Sequence, residues 1–321
     1  MIRVGVDASI DEILLKDFTS NVELVRIAAE PEGEIAIDFW IPSMEAAIAK
    51  RQWSHLEGVR AVQSLFVGVD SFQKWLPKDV TLCNARGVHD IPIAEWVVAV
   101  MLAMQKYVPF YLELQRRSDW NGREQAENIY LLSNPSASGI NPPVLIDEIA
   151  ETTVLIVGYG SIGNAIEDRL IPFGLKILRV ARSAREGVHP VSELDELLGQ
   201  ADIVVLILPL TSETRNLLRA EQLARMKPGA LLINAGRGAV VDTDALVKAL
   251  LEKRIRAAVD VTEPEPLPVG HPLWKAPNVL ITPHVAGDSA KFMRRALKLA
   301  SEQAGRYARH ETLHNIVTGE Y

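Results

Sequence analysis

Thr153-Val-Leu-Ile-Val-Gly158-Tyr159-Gly160-Ser161-Ile162-Gly163 decides the fold of this chain. A short apolar run rich in β-branched residues ends in Gly-x-Gly-x-x-Gly. A helix-compatible segment follows from Asn164 to Phe173, then a second apolar run from Leu175 to Val180. In that strand–turn–helix–strand setting each glycine has its own task. Gly158 permits the tight turn, Gly160 admits a pyrophosphate close to the backbone, and Gly163 lets helix and strand pack together. The helix start offers N–H groups and the positive end of its dipole to phosphate. The stretch is therefore a dinucleotide-binding turn, lined by Tyr159, Ser161 and Ile162.

Downstream, strand–helix alternation continues, with strands expected at 153–157, 175–180, 203–208, 230–233, 256–260 and 279–282. Six strands with helices between them make a doubly wound parallel sheet. Upstream, Ile2–Val6, Ile35–Phe39, Ala61–Leu65 and Val80–Cys83 are short apolar runs between helix-like segments, which suggests a smaller parallel α/β unit. Ile91 to Arg117 is expected to be one long buried helix opened by Pro92. Residues 118–150, with Asn134–Gly139 and Asn141–Pro143, are expected to be a surface loop. An amphipathic helix from Ser289 to Arg309 lies beyond the nucleotide unit. The expected fold is α/β with two Rossmann-like or flavodoxin-like domains. A doubly wound nucleotide domain (101–288) is inserted in a smaller, discontinuous substrate domain (1–100 and 289–321).

A chain of 321 residues has room for both domains, and 48% hydrophobic with 23% charged residues suits a soluble globular protein. The net charge of −7 gives no electrostatic reason to expect nucleic acid or an anionic membrane as partner. No apolar run reaches the roughly 18 residues of a membrane span. Met1-Ile-Arg-Val-Gly-Val-Asp7 starts directly as a strand, with no basic stretch followed by an apolar one, so no secretion signal is expected. Cys83 is the only cysteine. It excludes an internal disulfide, points to a cytoplasmic setting, and is expected to be an inert buried side chain. His310-Glu-Thr-Leu-His314 matches the His-Glu-x-x-His zinc signature. It sits at the expected end of the last helix with no third ligand after it, so no metal is expected. Asp242-Thr-Asp244 opens the helix Ala245–Leu251 as an N-cap.

Four further motifs fall at strand ends: Leu208-Pro209-Leu210-Thr211-Ser-Glu-Thr214, Asn234-Ala235-Gly236-Arg237-Gly238, Asp260-Val-Thr-Glu-Pro-Glu265-Pro266 and Thr282-Pro-His284-Val-Ala-Gly287. In this order, after the glycine turn, they resemble the D-isomer-specific 2-hydroxyacid dehydrogenases, the family of glyoxylate/hydroxypyruvate reductases and phosphoglycerate dehydrogenases. The resemblance extends to Asn84–Asp90, Ala94-Glu95 and the Gly68-Val-Asp70 loop.

The chemistry of a 2-oxo acid agrees with these residue types. Arg237 is a permanently charged fork suited to a carboxylate and a polarised carbonyl. His284 is a proton donor of the right kind near neutral pH, and Glu265 suits an imidazolium partner that fixes the ring. The resemblance implies these three catalytic roles, with Glu265 rather than Glu263 as the partner. It implies that the backbone of Phe66-Val67-Gly68 binds the substrate carboxylate along with Arg237 and His284. Trp274 is a second candidate for the pocket, or a packed aromatic. The nucleotide is expected to contact Pro209, Leu210, Ala235, Gly236, Arg237, Asp260, His284 and Gly287, with Thr214 opening the next helix. Asp260 is expected near the nicotinamide ribose or carboxamide. His89 and Asp90 are expected to be structural.

NAD-preferring turns end the second strand in Asp or Glu for the ribose 2′-OH. Here that position falls on Ala181, followed by Arg182 and Ser183, with Arg185 nearby. A cation and a hydroxyl suit a 2′-phosphate, so NADP(H) is expected to be preferred, with NAD(H) possible. The resemblance thus implies NADPH-driven reduction of a small 2-oxo acid, such as glyoxylate or hydroxypyruvate, to the D-2-hydroxy acid by a homodimer. Three alternatives share the fold. A phosphoglycerate dehydrogenase-like enzyme would use NAD. A formate dehydrogenase would carry glutamine where Glu265 stands. A nucleotide-sensing binding protein could keep all three residues.

Overall fold

The computed structural model describes residues 1–19 and 21–319. Two compact units emerge: Met1–His89 with Asp288–Tyr321, and Asp90–Gly287. The division falls ahead of the long helix, where the sequence suggested residue 100. The helix Asp90–Gln105 explains the shift. Its Ala94, Val97, Val100, Met101 and Met104 are buried in one cluster with Val154, Ile156, Val205 and Ile233 of the second unit's sheet. A helix with that face cannot be divided between two cores.

In the first unit, β1 (Ile2–Asp7), β2 (Val22–Ile27), β4 (Phe39–Ile41), β6 (Ala61–Gln63) and β7 (Thr81–Cys83) form a parallel sheet in the order β2-β1-β4-β6-β7. β3 (Ile35–Ala36) and β5 (Leu56–Glu57) pair separately. The expected strand Ile35–Phe39 is thus split between β3 and β4. This is the flavodoxin-like order, with the chain reversing direction beside β1. The helix Phe292–Ala308 seals one face, burying Phe292, Ala296, Leu297, Ala300 and Ala304 against Val4, Val6, Phe39 and Ala61. Trp40, Trp53, Phe72 and Trp75 pack on the other.

The second unit carries β8 (Thr153–Val157), β9 (Lys176–Ala181), β10 (His189–Pro190), β11 (Ile203–Leu206), β12 (Leu231–Asn234), β13 (Arg256–Val259) and β14 (Val279–Ile281). They run parallel in the order β10-β9-β8-β11-β12-β13-β14. This is the doubly wound order, with β8 and β11 at the reversal point, where such sheets bind ligands at their carboxyl ends. β8, β11 and β12 are almost wholly buried, as a sheet covered on both faces requires.

Two expectations are corrected here. The single helix Ile91–Arg117 is two helices, Asp90–Gln105 and Val108–Arg116, bent by 64°. Tyr107 adopts a left-handed φ of 54°, and Pro109 lies in the first turn of the second helix, where its missing N–H does no harm. Residues 118–150 are not all loop, since Glu127–Ser133 is helical. Among the described residues no single helix is long and apolar enough to cross a membrane; the bent pair passes that test only jointly.

Candidate active site

The glycine turn closes between β8 and the helix Ser161–Leu170. Gly158 has φ 102°, and a Cβ there would lie 2.4 Å from the Ile207 carbonyl oxygen. No side chain with a Cβ fits so close to the adjacent crossover. A Cβ at Gly163 would lie 3.1 Å from the Gly158 carbonyl and 3.3 Å from Ile156. Gly160 faces open space. No side chain caps the helix that begins at Ser161, which leaves its first turn suited to a pyrophosphate. The Ser161 hydroxyl donates to Asp90 at 3.1 Å, so Asp90 braces the turn. Ile162 and Ala235 pack at the margin of the same core.

Tyr159 is held by a network that the sequence reading missed. Its hydroxyl donates to Glu167 Oε2 at 2.7 Å, and Arg179 Nε donates to the same oxygen at 2.6 Å. The guanidinium groups of Arg179 and Arg185 lie 5.6 and 5.7 Å from the ring centroid. Arg185 also donates to the Tyr159 carbonyl. Hydrogen bonding from Arg179 holds the Glu167 carboxyl below its ordinary range against the opposing effect of burial. Beyond β9, Arg182 lies 3.8 Å from Glu213, both side chains largely exposed.

Pro209 and Leu210 are half-buried at the end of the β11 crossover. Thr214 closes a local turn, its hydroxyl donating to the Pro209 carbonyl at 2.7 Å and accepting from the Thr211 N–H at 2.8 Å. The next helix starts at Ala220, so Thr214 does not open it as expected. Its hydroxyl is spent on backbone groups that precede it in the chain, whereas a helix N-cap accepts from N–H groups that follow it.

The polar chemistry gathers on three loops of the second unit. Asn234, buried at the end of β12, accepts from the Gly236 N–H and donates to the Arg237 carbonyl, both at 3.1 Å. That clamp sets Arg237, which is half-buried and donates to the Gly236 carbonyl at 2.9 Å. A Cβ at Gly238 would lie 2.0 Å from the Thr262 carbonyl oxygen. The arginine turn and the loop carrying Glu265 are therefore in backbone contact. Glu265 Oε1 lies 2.5 Å from His284 Nδ1, with 42% and 49% of the two side chains exposed. Glu263 instead offers its backbone carbonyl to the Thr243 hydroxyl.

Asp260 is buried and acts as the organiser of the histidine loop. Its Oδ1 accepts from the Thr282 hydroxyl at 2.5 Å and the Val285 N–H at 2.9 Å, and its Oδ2 from the Ala286 N–H at 2.9 Å. The His284 N–H donates to the Asp260 carbonyl at 2.7 Å. His284 holds a φ of 54°, an uncommon conformation for a non-glycine residue, and these bonds fix it there. Gly287 closes this loop at the unit's boundary. Trp274 is half exposed and donates to the Pro268 carbonyl at 3.0 Å.

In the first unit, the Phe66 N–H donates to Ser64 Oγ at 3.0 Å and its carbonyl accepts from Ala85 at 2.9 Å. Phe66 stacks on Phe292 and His89, and Val67 and Gly68 follow half-buried. Cys83 is fully buried, which pushes its thiol up to about 12. The His310–His314 stretch follows the last helix rather than lying on it, so its histidines do not share a helical face. Glu311 there is paired with Arg309 at 2.7 Å. The described residues gather no group of three side chains able to hold a metal.

Comparison with known proteins places this arrangement. Residues 98–286 match the NAD-binding domain of the D-isomer-specific 2-hydroxyacid dehydrogenases. A glyoxylate reductase of Thermofilum pendens is 35% identical over 252 residues, 76% of this chain and 70% of that protein. A glyoxylate/hydroxypyruvate reductase B of Pectobacterium atrosepticum is 37% identical over 240 residues, 72% and 70% of the two. The crystal structure of an NADPH-dependent glyoxylate/hydroxypyruvate reductase of Sinorhizobium meliloti, in complex with NADP and sulfate, covers 99% of this chain and 98% of that one. Its TM-score is 0.81 at 26% identity. The chain belongs to the D-isomer-specific 2-hydroxyacid dehydrogenases. It is thus an NAD(P)-dependent oxidoreductase.

Proposed function

We propose that the protein reduces a small 2-oxo acid of the glyoxylate or hydroxypyruvate type to the D-2-hydroxy acid, with NADPH preferred over NADH. The contact of 2.5 Å between Glu265 and His284 carries this reading. It commits Nδ1 to the carboxylate and leaves Nε2 of a half-exposed ring to give a proton to the substrate oxygen. Arg237 binds the substrate carboxylate and polarises the carbonyl through its planar fork. The Val67 and Gly68 N–H groups supply further donors to the carboxylate, the Phe66 N–H being held by Ser64 Oγ. A reduced nicotinamide supplies the hydride when bound. Gly158, Gly160, Gly163 and the first turn after Ser161 hold its pyrophosphate, and Pro209, Leu210, Ala235 and Gly236 flank it.

The cofactor preference rests on the end of β9, where Ala181 offers no acceptor for a ribose 2′-OH and Arg182 and Ser183 offer donors. The Sinorhizobium meliloti structure with NADP and a Xanthobacter autotrophicus relative (29% identical, TM-score 0.79) in complex with NADPH agree with it. The deciding experiment follows nicotinamide absorbance with a panel of 2-oxo acids and both cofactors. Turnover faster with NADPH supports the reading. Cofactor binding without turnover on any acid refutes it.

A homodimer belongs to the same reading. Val108, Leu112, Trp120, Ile140 and Ile146 of the second unit are exposed apolar side chains, which a partner subunit would cover. A monomeric mass by light scattering refutes it.

A further inference from the structure

Two fully buried glutamines, Gln63 at the end of β6 and Gln303 on the last helix, face each other in the first unit. Gln303 Nε2 donates to Gln63 Oε1 at 3.1 Å and to the His314 carbonyl at 2.6 Å, while its Oε1 accepts from the His314 N–H at 2.9 Å. Gln63 Nε2 donates to the carbonyls of Ser64 at 2.8 Å and Asn84 at 3.1 Å. Every amide atom of the pair has a partner, and flipping either amide would set donor against donor or acceptor against acceptor. Both side chains therefore have one orientation.

The ends of this chain of bonds lie at two different places. One end is the segment after the last helix. The Asn315 backbone carbonyl accepts from the Asn84 N–H at 3.1 Å, and its side-chain Nδ2 donates to the Arg86 carbonyl at 3.2 Å. Ile316 forms an antiparallel bridge with Cys83, and the Val317 N–H donates to the Leu82 carbonyl at 2.8 Å. The other end is Ser64, whose hydroxyl holds the Phe66 N–H. Ala85, next to Asn84, holds the Phe66 carbonyl.

We propose that Gln63 and Gln303 are positioning residues for substrate binding, a relay that locks the Phe66–Gly68 loop to the segment His314–Val317. This rests on the proposed function, in which that loop takes the substrate carboxylate. Backbone donors bind a carboxylate only when held in place beforehand, and a fully satisfied buried network supplies that rigidity. Neither glutamine touches substrate.

The test compares Gln63→Met and Gln303→Met, which keep volume and remove the amides, with Asn315→Gly. Glycine accepts the left-handed φ of 56° at Asn315, and this variant loses only the side-chain bond to the Arg86 carbonyl, so it loosens the segment end of the relay without opening the core and carries the test if a methionine variant does not fold. The relay predicts that KM for glyoxylate rises about tenfold in the methionine variants and about threefold in Asn315→Gly. It predicts kcat and NADPH affinity within about twofold of the parent, and faster hydrogen exchange at amides 64–68. An unchanged KM in folded variants overturns the relay alone. A loss of kcat and cofactor affinity in step with KM also overturns it, because a merely destabilised fold behaves that way. Absence of turnover in the unsubstituted protein overturns the proposed function and the relay together.

Discussion

Glu265 and His284 stand 19 positions apart in sequence and 2.5 Å apart in space, carboxylate oxygen to Nδ1. The contact orients the ring and selects which nitrogen carries the exchangeable proton. His284→Ala should lower kcat by about 10² or more, with NADPH affinity within about twofold. Glu265→Gln retains an acceptor for Nδ1 but loses the charge that balances an imidazolium, so its fall in kcat should be smaller, about tenfold. Steady-state kinetics beside cofactor titration separates the two effects. Near-normal kcat in His284→Ala would end the assignment.

Arg237 and Gly238 make a paired prediction. Arg237→Lys keeps the charge and loses the planar fork, so KM for the acid should rise and kcat fall, together costing about tenfold or more in kcat/KM. Gly238→Ala leaves every catalytic side chain in place, but its Cβ would meet the Thr262 carbonyl oxygen at 2.0 Å. The loop carrying Glu265 must then move, and stability should fall by about 1–3 kcal/mol along with kcat. A Gly238→Ala protein with normal kcat would mean that the contact between the two loops does not set the Glu265–His284 geometry.

The legible parts of this fold are those whose physics is local. A buried parallel strand must be an apolar run, and the six runs of the second unit stand out for that reason. The edge strand β2, Val22-Glu-Leu-Val-Arg-Ile27, carries its charges three positions apart, which breaks the two-residue period of a half-buried strand and hides it in the sequence. The two-residue β10 is too short to carry a pattern. The break at Tyr107 did have a signal, since Pro109 inside a helical pattern marks a boundary, but the apolar density on both sides masked it. The network of Glu167, Arg179 and Tyr159 was not legible at all. Its members lie on three elements, and nothing in a linear sequence says which arginine will meet which glutamate. The same holds for Asp260, whose three accepted hydrogen bonds come from the loop that follows the neighbouring strand β14.

Cofactor choice can be tested at Arg182 and its neighbour. Arg182 pairs with Glu213 at 3.8 Å across solvent, a contact worth little in itself. In the proposed reading a 2′-phosphate competes with Glu213 for the same guanidinium. Arg182→Ala should reduce kcat/KM for NADPH by about tenfold and leave NADH within about twofold. Glu213→Gln should move the NADPH value the other way, by a smaller factor. Equal losses for both cofactors in Arg182→Ala would assign the side chain to general electrostatics.

Glu167 offers a prediction in pH. Its carboxyl is held below the ordinary range mainly by hydrogen bonding from Arg179. A group whose folded value is depressed stabilises the fold at pH above its unfolded value, where it is ionised in both states. The contribution fades as pH falls through the folded value, where both states are protonated. Glu167→Gln should therefore lose about 1–3 kcal/mol near pH 7, and the gap to the parent should close progressively below pH of about 4. Denaturant midpoints measured across that range give the comparison. The same variant frees the Tyr159 hydroxyl and one face of the phosphate turn, so NADPH affinity should weaken at pH 7. A stability difference that stays constant with pH would show that the shape of the Glu167 side chain, and not its charge, holds Arg179 and Tyr159 in place.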